Sequence, residues 1–365
     1  MRKRDDRQLE QTASELETQR QWTEAADAYR RAIKVRPGRA RLWYRLARVL
    51  HAQRDWIGAA EAYRHAIVLT GGSARLYFRL GSVLERTGEL RQARAAYRAA
   101  EGLEAPVPSI EGEPGHSLPY ARRIDLGLLP KPGYAHLTLR AAQLAARLDL
   151  PRISILELGV AGGNGLLAME QHAADVEAMT DIGIDVYGFD TGEGLYAPQD
   201  HRDLPYLFAE GNYAIDVEAL RARLTRAELV LGDASATLPR LLADGIAPIG
   251  AISFDMDLYS ATRSVLDVLG SDVDERRFLP RVRTYFDDVL GKGEQDYNEY
   301  TGELLAIEEF NQECEQTKVA EDRYFRTLPL NFAWHHRMYV MHRFAHPDYG
   351  TYVSAAGPES LSLRE

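Results

Sequence analysis

The sequence predicts two fold classes in one chain: a helical repeat array over residues 1–105 and a doubly wound, Rossmann-like α/β domain over residues 134–350. Three observations indicate this division. The first third of the chain repeats at one fixed interval, and a segment rich in proline and glycine follows it. Beyond that segment, short apolar runs that end in glycine or acidic residues alternate with helical patterns. A chain of 365 residues is also longer than a single core usually supports.

The repeat interval is visible in three columns of identical residues. The columns are Tyr29, Tyr63 and Tyr97; Ala25, Ala59 and Ala93; and Ala32, Ala66 and Ala100. We expect the tyrosines to fill the space between helix pairs, and small residues such as Ala47 and Gly81 to lie where helices approach. The pattern resembles the tetratricopeptide repeat, a helix-turn-helix unit of about 34 residues. This resemblance implies about three repeats that bind a protein partner or a long substrate, or that self-associate into a dimer.

The segment 106–133 is predicted to be a linker or lid. Its prolines and glycines are too frequent for a long helix or a central strand. From Tyr120 to Tyr134 the segment is interpreted either as an ordered lid or as a tether. Residues 351–365 are interpreted as a C-terminal tail.

Charge and composition exclude several classes of protein. The net charge of −10 hides a basic first part, since residues 1–100 carry 21 Lys and Arg against 11 Asp and Glu. This surface fits either an acidic partner or a solvated helical face, whereas its dispersed arginines do not favour nucleic-acid binding.

With no apolar run of membrane length and no signal peptide, we expect a cytoplasmic protein without a membrane span. The single cysteine, Cys314, permits no internal disulfide and is expected to pack in a helix.

A glycine-rich turn follows the first strand-like run of the second half. The run ends in an acid, and the spacing is Glu157-x-Gly159-x-x-x-Gly163-x-Gly165. Glycines let the backbone turn tightly and approach a ligand, but this spacing departs from the G-x-G-x-x-G of nicotinamide and flavin sites. It resembles the first motif of class I S-adenosylmethionine-dependent methyltransferases. The resemblance implies that these four residues bind S-adenosylmethionine.

Later strand ends carry acidic residues, as expected for ligand sites in a doubly wound sheet. Strands are predicted at Ile153–Gly159, Gly183–Asp190, Glu228–Leu231, Ile249–Asp255 and Arg281–Asp287, with a closing hairpin near Tyr324–Arg343. Asp190 is expected to accept hydrogen bonds from ribose hydroxyls, with Asp185 as a substitute. Asp233 either faces adenine, as its position in such methyltransferases implies, or caps the helix that starts near Ser235.

Four carboxylates are predicted to meet at two neighbouring strand ends. They are Asp255 and Asp257 after one strand and Asp287 and Asp288 after the next. Ionised carboxylates held this close raise one another's pKa, and a bound divalent cation removes the repulsion. An all-oxygen ligand set favours a hard ion, most simply Mg²⁺.

The acidic phrases resemble those of the macrocin O-methyltransferase family. The matching phrases are Asp255-x-Asp257-Leu-Tyr-x-x-Thr262, Asp287-Asp288 and Ala306-Ile-Glu-Glu-Phe310. The resemblance covers residues 134–345. It implies that Asp255, Asp287 and Asp288 hold a metal ion, that Asp257 is the general base, and that the acceptor is a sugar hydroxyl with a vicinal neighbour.

Several alternatives stay open at this point. The acceptor could be a catechol-like phenol, because any vicinal diol can chelate the ion, or the chain could be a repeat scaffold with a non-catalytic methyltransferase fold. Four histidines are alternative bases: His136, His201, His335 and His336. Four aromatic residues are candidates to stack on an acceptor ring: Trp334, Tyr339, Tyr206 and Tyr213.

Overall fold

The protein is described here by a computed structural model that covers residues 2–103, 118–271, 274–291 and 297–354. The chain divides into two compact units, Met1–Leu128 and Leu129–Glu365. The first unit is helical where it is described, and the described residues of the second form a single sheet of seven strands. None of the described helices combines the length and the apolar composition that a membrane crossing needs.

The first unit begins with six helices arranged as three consecutive pairs. They are α1 (Arg2–Thr18), α2 (Trp22–Val35), α3 (Ala40–Ala52), α4 (Trp56–Thr70), α5 (Ala74–Arg86) and α6 (Leu90–Gly102). Side-chain caps start two of them: Asp55 accepts from the N–H of Gly58 at 3.0 Å, and Ser73 accepts from that of Leu76 at 3.3 Å. Gly71 and Gly88, both at positive φ, follow the ends of α4 and α5.

The repeated residues form the core of this array, as predicted. The three tyrosines of the column are buried, and so are Ala25, Ala59 and Ala93. Gly81 allows the close approach expected of it, because a Cβ atom there would lie 2.7 Å from the ring of Tyr97. The ring of Tyr97 therefore fits because the facing helix carries a glycine there.

The predicted linker is only partly described. Its residues 106–117 lie outside the described part of the chain, as do 355–365 of the predicted tail. From Pro119 the chain forms a short helix, α7 (Tyr120–Asp125), and the first unit extends to Leu128. Arg122 of α7 donates to Glu85 of α5 through Nε at 2.7 Å, so this helix packs on the last repeat.

The second unit is a doubly wound sheet with helices on both faces. Its helices are α8 (Pro132–Arg147), α9 (Asn164–Thr180), α10 (Val217–Arg221), α11 (Ala234–Ala243), α12 (Tyr259–Gly270) and α13 (Gly302–Glu313). Its strands are β1 (Arg152–Leu158), β2 (Gly183–Asp190), β3 (Glu228–Leu231), β4 (Ile249–Phe254), β5 (Phe278–Phe286), β6 (Thr317–Glu321) and β7 (Met338–Arg343). The strand order is β3-β2-β1-β4-β5-β7-β6, and the first five are parallel. The predicted fold class is confirmed.

The closing hairpin differs from its prediction. Strand β7 is antiparallel to both β5 and β6, but β6 begins at Thr317, ahead of the predicted start at Tyr324. Residues Arg323–Thr327 and Ala333–Arg337 form 3₁₀ turns between the two strands. Phe325 and Trp334 of these turns are buried, which is why the segment gives a strand-like apolar pattern without forming a strand. Cys314 ends α13 and is half-buried.

Candidate functional site

A cavity of about 300 Å³ lies at the carboxyl ends of the parallel strands of the second unit. The ends of β1, β2, β4 and β5 all contribute to its wall, as do the residues that follow β3. A doubly wound sheet places its ligands at this edge, because the strand order reverses there and leaves a crevice. Seven of the ten residues predicted to bind the cofactor or a metal ion, or to act as the base, line this cavity.

The glycine-rich turn meets the cavity at its first glycine. Gly159 has a φ of +83°, and a Cβ atom there would lie 1.9 Å from the carbonyl oxygen of Asp255. Gly163, also at positive φ, makes room for Leu220, and Gly165 makes room for Glu157. Gly159 therefore lines the cavity, whereas Gly163 and Gly165 are required by packing behind it.

Glu157 is buried and does not line the cavity. Its Oε1 accepts a hydrogen bond from the hydroxyl of Tyr134 at 2.8 Å. Burial and the negative charge of Asp255 raise the pKa of Glu157 to about 8, against the opposing effect of the Tyr134 hydrogen bond. The structure thus places this predicted cofactor residue beneath the turn, where it fixes Tyr134.

The two acids of β2 have different surroundings. Asp190 lines the cavity, and its Oδ2 accepts hydrogen bonds from the backbone N–H groups of Val160 and Ala161 at 3.0 and 3.1 Å. Its Oδ1 accepts from the N–H of Gly192 at 2.7 Å. A carboxylate offers about four acceptor positions, so Asp190 retains capacity for a ligand hydroxyl. Asp185 instead pairs with Arg152 at 2.5 Å and lies away from the cavity.

Asp233 caps a helix and also lines the cavity. It is the N-cap of α11, since its Oδ1 accepts from the N–H of Ser235 at 2.7 Å and from that of Ala236 at 3.2 Å. It also lines the cavity beside Tyr196. Asp233 contributes to the raised pKa of the Tyr196 hydroxyl, although burial is the larger cause. Helix capping therefore holds this carboxylate at the cavity wall.

Four aspartates line the cavity where β4 and β5 end, as the sequence predicts. Asp255 and Asp257 follow β4, and Asp287 and Asp288 follow β5. The backbone N–H of Asp257 donates to Asp288 Oδ2 at 3.1 Å, and the hydroxyl of Tyr297 donates to Asp288 Oδ1 at 2.9 Å. Asp257 has a φ of +61°, a left-handed conformation that costs free energy in residues other than glycine.

The carboxylates of this cluster repel one another. Burial, followed by the charges of neighbouring aspartates, raises the pKa of Asp255, of Asp257 and of Asp288. Glu303 of α13 lies behind them: it is fully buried, its pKa is raised by burial and by Asp288, and it accepts from the N–H of Asp288 at 3.0 Å. The folded protein therefore concentrates negative charge at a place where water is scarce.

Two cations near the cluster were not identified from the sequence. Arg337 donates to Asp287 Oδ1 at 2.5 Å and to the carbonyl of Leu290 at 2.8 Å. The charge of Lys131 lowers the pKa of both Asp255 and Glu157, and its ammonium lies 5.2 Å from the centre of the Tyr134 ring. Neither residue belongs to a motif, because each reaches the cluster only through the folding of the chain.

The alternative bases and stacking residues lie mostly away from the cavity. His136 and His335 are buried in an aromatic cluster with Phe325 and Trp334, and burial lowers the pKa of His335 to about 4. Tyr213 lines the cavity. The wall does not include the remaining candidates His201, His336, Tyr206 and Tyr339.

The acidic cluster is not assembled as a metal centre. Within the ranges that the structure describes, no group of three or more His, Cys, Asp or Glu side chains has an arrangement that could hold a metal ion. Instead, Asp287 forms an ion pair with Arg337, and Asp288 accepts a hydrogen bond from Tyr297. The predicted metal ligands thus lie close to one another, but their carboxylates would have to move closer together to bind one ion.

Comparisons with known proteins identify the repeats of the first unit. Tetratricopeptide repeat family models match residues 11–74 and 74–105, and these residues are tetratricopeptide repeats. Among solved structures, calicheamicin methyltransferase CalS11 is similar at 21% identity and a TM-score of 0.40, over 71% of this chain and 92% of that chain. Its apo form, a TDP-rhamnose 3'-O-methyltransferase, is similar at 22% identity and a TM-score of 0.35, over 71% and 94%.

The repeats have structural neighbours of their own. The tetratricopeptide domain of Arabidopsis OM64 is similar at 21% identity and a TM-score of 0.26, over 27% of this chain and 82% of that chain. No curated protein sequence matches the chain.

Proposed function

We propose that the second unit is an S-adenosylmethionine-dependent O-methyltransferase that acts on a hydroxyl of a sugar or a glycosylated metabolite. The observation that carries the proposal is the composition of one cavity. Gly159, Asp190 and Asp233 line it, and so do the aspartates that follow β4 and β5. A cofactor held by the first group would present its methyl carbon towards an acceptor held by the second.

The residues of the first group suit a nucleoside. Asp190 retains acceptor capacity for ribose hydroxyls, and Tyr196 beside Asp233 offers an aromatic face for adenine. Gly159 leaves the cavity wall without a side chain where β1 meets β4. Positioning of the methyl carbon in line with the acceptor oxygen would supply much of the rate enhancement.

For the acidic cluster we propose Asp255, Asp287 and Asp288 as ligands of a divalent ion such as Mg²⁺. The donor chemistry fits, because oxygen ligands suit a hard ion and a cation would relieve the repulsion that raises the pKa of Asp255 and Asp288. When bound, such an ion lowers the pKa of an acceptor hydroxyl. Asp257 is the proposed general base that takes the hydroxyl proton, and Arg337 would keep Asp287 oriented through Oδ1.

Calorimetric titration of S-adenosylmethionine and S-adenosylhomocysteine tests the cofactor proposal. We expect both to bind, and Asp190→Asn to weaken binding at least tenfold. Asp185→Asn is the matched control on the same strand, since Asp185 lies away from the cavity, and it should leave the affinity unchanged. If neither compound binds to the folded protein, the proposal is wrong.

The metal and the base need separate measurements. Titration of Mn²⁺ or Mg²⁺ in the absence of cofactor should give binding that Asp288→Asn abolishes and that Asp244→Asn, at an exposed acid, does not change. With an acceptor found among sugar diols, Asp257→Asn should lower kcat by roughly 10²–10⁴-fold without weakening S-adenosylhomocysteine. Turnover of Asp257→Asn at the wild-type rate would exclude the base assignment, and cofactor binding without any turnover would favour a scaffold role.

A further inference from the structure

Three arginines lie together on the face of the sheet against which α8 packs. Arg281 and Arg283 are two residues apart on β5, so their side chains share one face. Tyr285 is the next residue on that face, and its ring packs closely on Gly133 of α8. The third arginine is Arg140 of α8, whose charge acts on Arg283. These three arginines are called the basic cluster here.

The two guanidinium groups of β5 have donors that meet no acceptor. Nη1 of Arg281 donates to the carbonyl oxygen of Tyr349 at 3.2 Å, and Nη1 of Arg283 lies 3.5 Å from Oδ2 of Asp322. Among the described residues, Nη2 of Arg281 and Nε of Arg283 have no hydrogen-bond partner, although both atoms are buried. A buried donor without an acceptor costs free energy, so the hydrogen-bonding capacity of both arginines is incompletely used.

The positive charge of the basic cluster is also incompletely balanced. Burial lowers the pKa of Arg283, and the charges of Arg140 and Arg281 act in the same direction. Asp322 opposes them with one negative charge. His342 lies opposite Arg281 on β7, and burial and the charges of Arg281 and Arg283 lower its pKa, so its imidazole is neutral near pH 7. Three guanidinium groups against one carboxylate leave a net charge of +2.

The basic cluster is open to solvent on the side of β7 and β6. Arg283, Val340 and Ala320 lie in one row across β5, β7 and β6, and Ala320 is exposed. Arg140 is exposed on α8, and 23% of the Arg283 side chain is exposed. Lys318 of β6 is directed away from the cluster, since its ammonium donates to a backbone carbonyl of α13. A ligand can therefore approach the guanidinium groups from this side.

We propose that the basic cluster binds a phosphate group of a small molecule. A phosphate monoester carries a charge of about −1.5 to −2 near pH 7, so it balances the cluster more completely than the single charge of a carboxylate does. Its terminal oxygens accept from guanidinium groups on β5 and on α8, and such charge-assisted hydrogen bonds are stronger than those between neutral groups. None of the three arginines lines the cavity of the proposed methyl-transfer site, so the inference is independent of that chemistry.

Calorimetric titration of inorganic phosphate into the full-length protein tests the proposal, in a buffer free of other phosphate and of sulfate. We expect phosphate to bind, and acetate at the same ionic strength not to bind. Arg283→Gln should weaken phosphate binding at least tenfold, and Arg140→Gln at least threefold. The matched control is Arg240→Gln, which removes the same charge at an exposed position of α11 and should change the affinity less than twofold. If Arg283→Gln does not fold, the exposed Arg140 decides the test.

Two phosphate esters, methyl phosphate and adenosine monophosphate, distinguish the sources of the phosphate group. Tighter binding of adenosine monophosphate than of inorganic phosphate indicates a nucleotide, whereas equal or weaker binding indicates free phosphate or a simple ester. Either result supports the proposal provided that Arg283→Gln or Arg140→Gln weakens the binding.

The proposal is overturned if none of the three phosphate compounds binds, or if acetate binds as tightly as phosphate. It is also overturned if Arg283→Gln and Arg140→Gln bind phosphate as the wild type does, or if Arg240→Gln loses as much affinity as they do. Binding of heparin without binding of the phosphate compounds would assign the basic cluster to a polyanion and would overturn the proposal as well.

Discussion

Replacing Gly159 with alanine tests the steric requirement at the cavity wall. Comparison with a second glycine of the same turn shows whether the turn accepts an alanine elsewhere. Gly159 has a φ of +83°, and a Cβ atom there would lie 1.9 Å from the carbonyl oxygen of Asp255, an atom of the backbone that cannot rotate away. The left-handed conformation costs an alanine about 1–2 kcal/mol. Overlap that forces a backbone shift adds about 1–3 kcal/mol.

The expected loss for Gly159→Ala is therefore about 2–5 kcal/mol of unfolding free energy. In a unit of this size that loss lowers the melting temperature by roughly 4–20 °C. Since β1 and β4 would move apart at the cavity, S-adenosylhomocysteine should also bind at least tenfold more weakly. Thermal unfolding followed by circular dichroism and calorimetric titration measure the two effects.

Gly162→Ala is the matched control in the same turn. A Cβ atom at Gly162 meets no atom within 4 Å, and its φ is not in the left-handed region. This variant should unfold within about 0.5 kcal/mol of the wild type. Equal melting temperatures for Gly159→Ala and Gly162→Ala would refute the assigned contact between the turn and Asp255.

Three further predictions concern the second unit. Glu170 accepts hydrogen bonds from the N–H groups of residues 225–227, and these bonds hold its pKa below its ordinary value despite burial. Glu170→Gln should therefore lower the free energy of unfolding by about 1–3 kcal/mol at pH 7. Because a lowered carboxylate pKa contributes stability that is lost as the pH falls, urea denaturation should show this difference shrinking below about pH 4.5. The buried Arg343 pairs with Glu275, so Glu275→Gln should lower the free energy of unfolding by about 3–5 kcal/mol. Glu321→Gln, in the exposed pair with Arg326, should lower it by at most about 1 kcal/mol. Similar losses for the two variants would contradict this prediction. Asp257→Asn should raise the melting temperature measured in the presence of a chelator, and the increase should grow as the pH rises above 4. The reason is that the pKa of Asp257 is raised in the folded protein, so its ionisation opposes folding. A melting temperature below that of the wild type at every pH would contradict this prediction.

The sequence predicts features that depend on local pattern better than those that depend on convergence. The bounds of β2 and β3 are those predicted, because apolar runs closed by an acid or glycine mark parallel strands directly. Asp190 and Asp233 lie at the cavity for the same reason, since the end of a strand fixes the place of the next residue. The bounds of the closing hairpin were wrong because its 3₁₀ turns bury aromatic residues as a strand would.

Other parts of the site could not be predicted from any local pattern. Arg337 contacts Asp287 across 50 positions of sequence, and Glu303 reaches Asp288 from a helix that begins after the cluster. The position of Glu157 beneath the turn depends on Tyr134, which belongs to a different helix. Motif spacing identifies which residues are near the cavity, whereas tertiary packing decides which of them face it.

The acidic cluster is best understood as a feature that the fold does not need. Charge repulsion and burial both act against ionised Asp255, Asp257 and Asp288, and the strained backbone of Asp257 adds a further cost. Arg337 and Lys131 offset this only in part, because the pKa values of all three aspartates stay raised with both cations in place. Alanine or asparagine at these positions would remove the repulsion without disturbing the sheet, whose strands end before them. A destabilising group of carboxylates that faces a cavity is therefore more consistent with binding a cation and an acceptor than with a structural role.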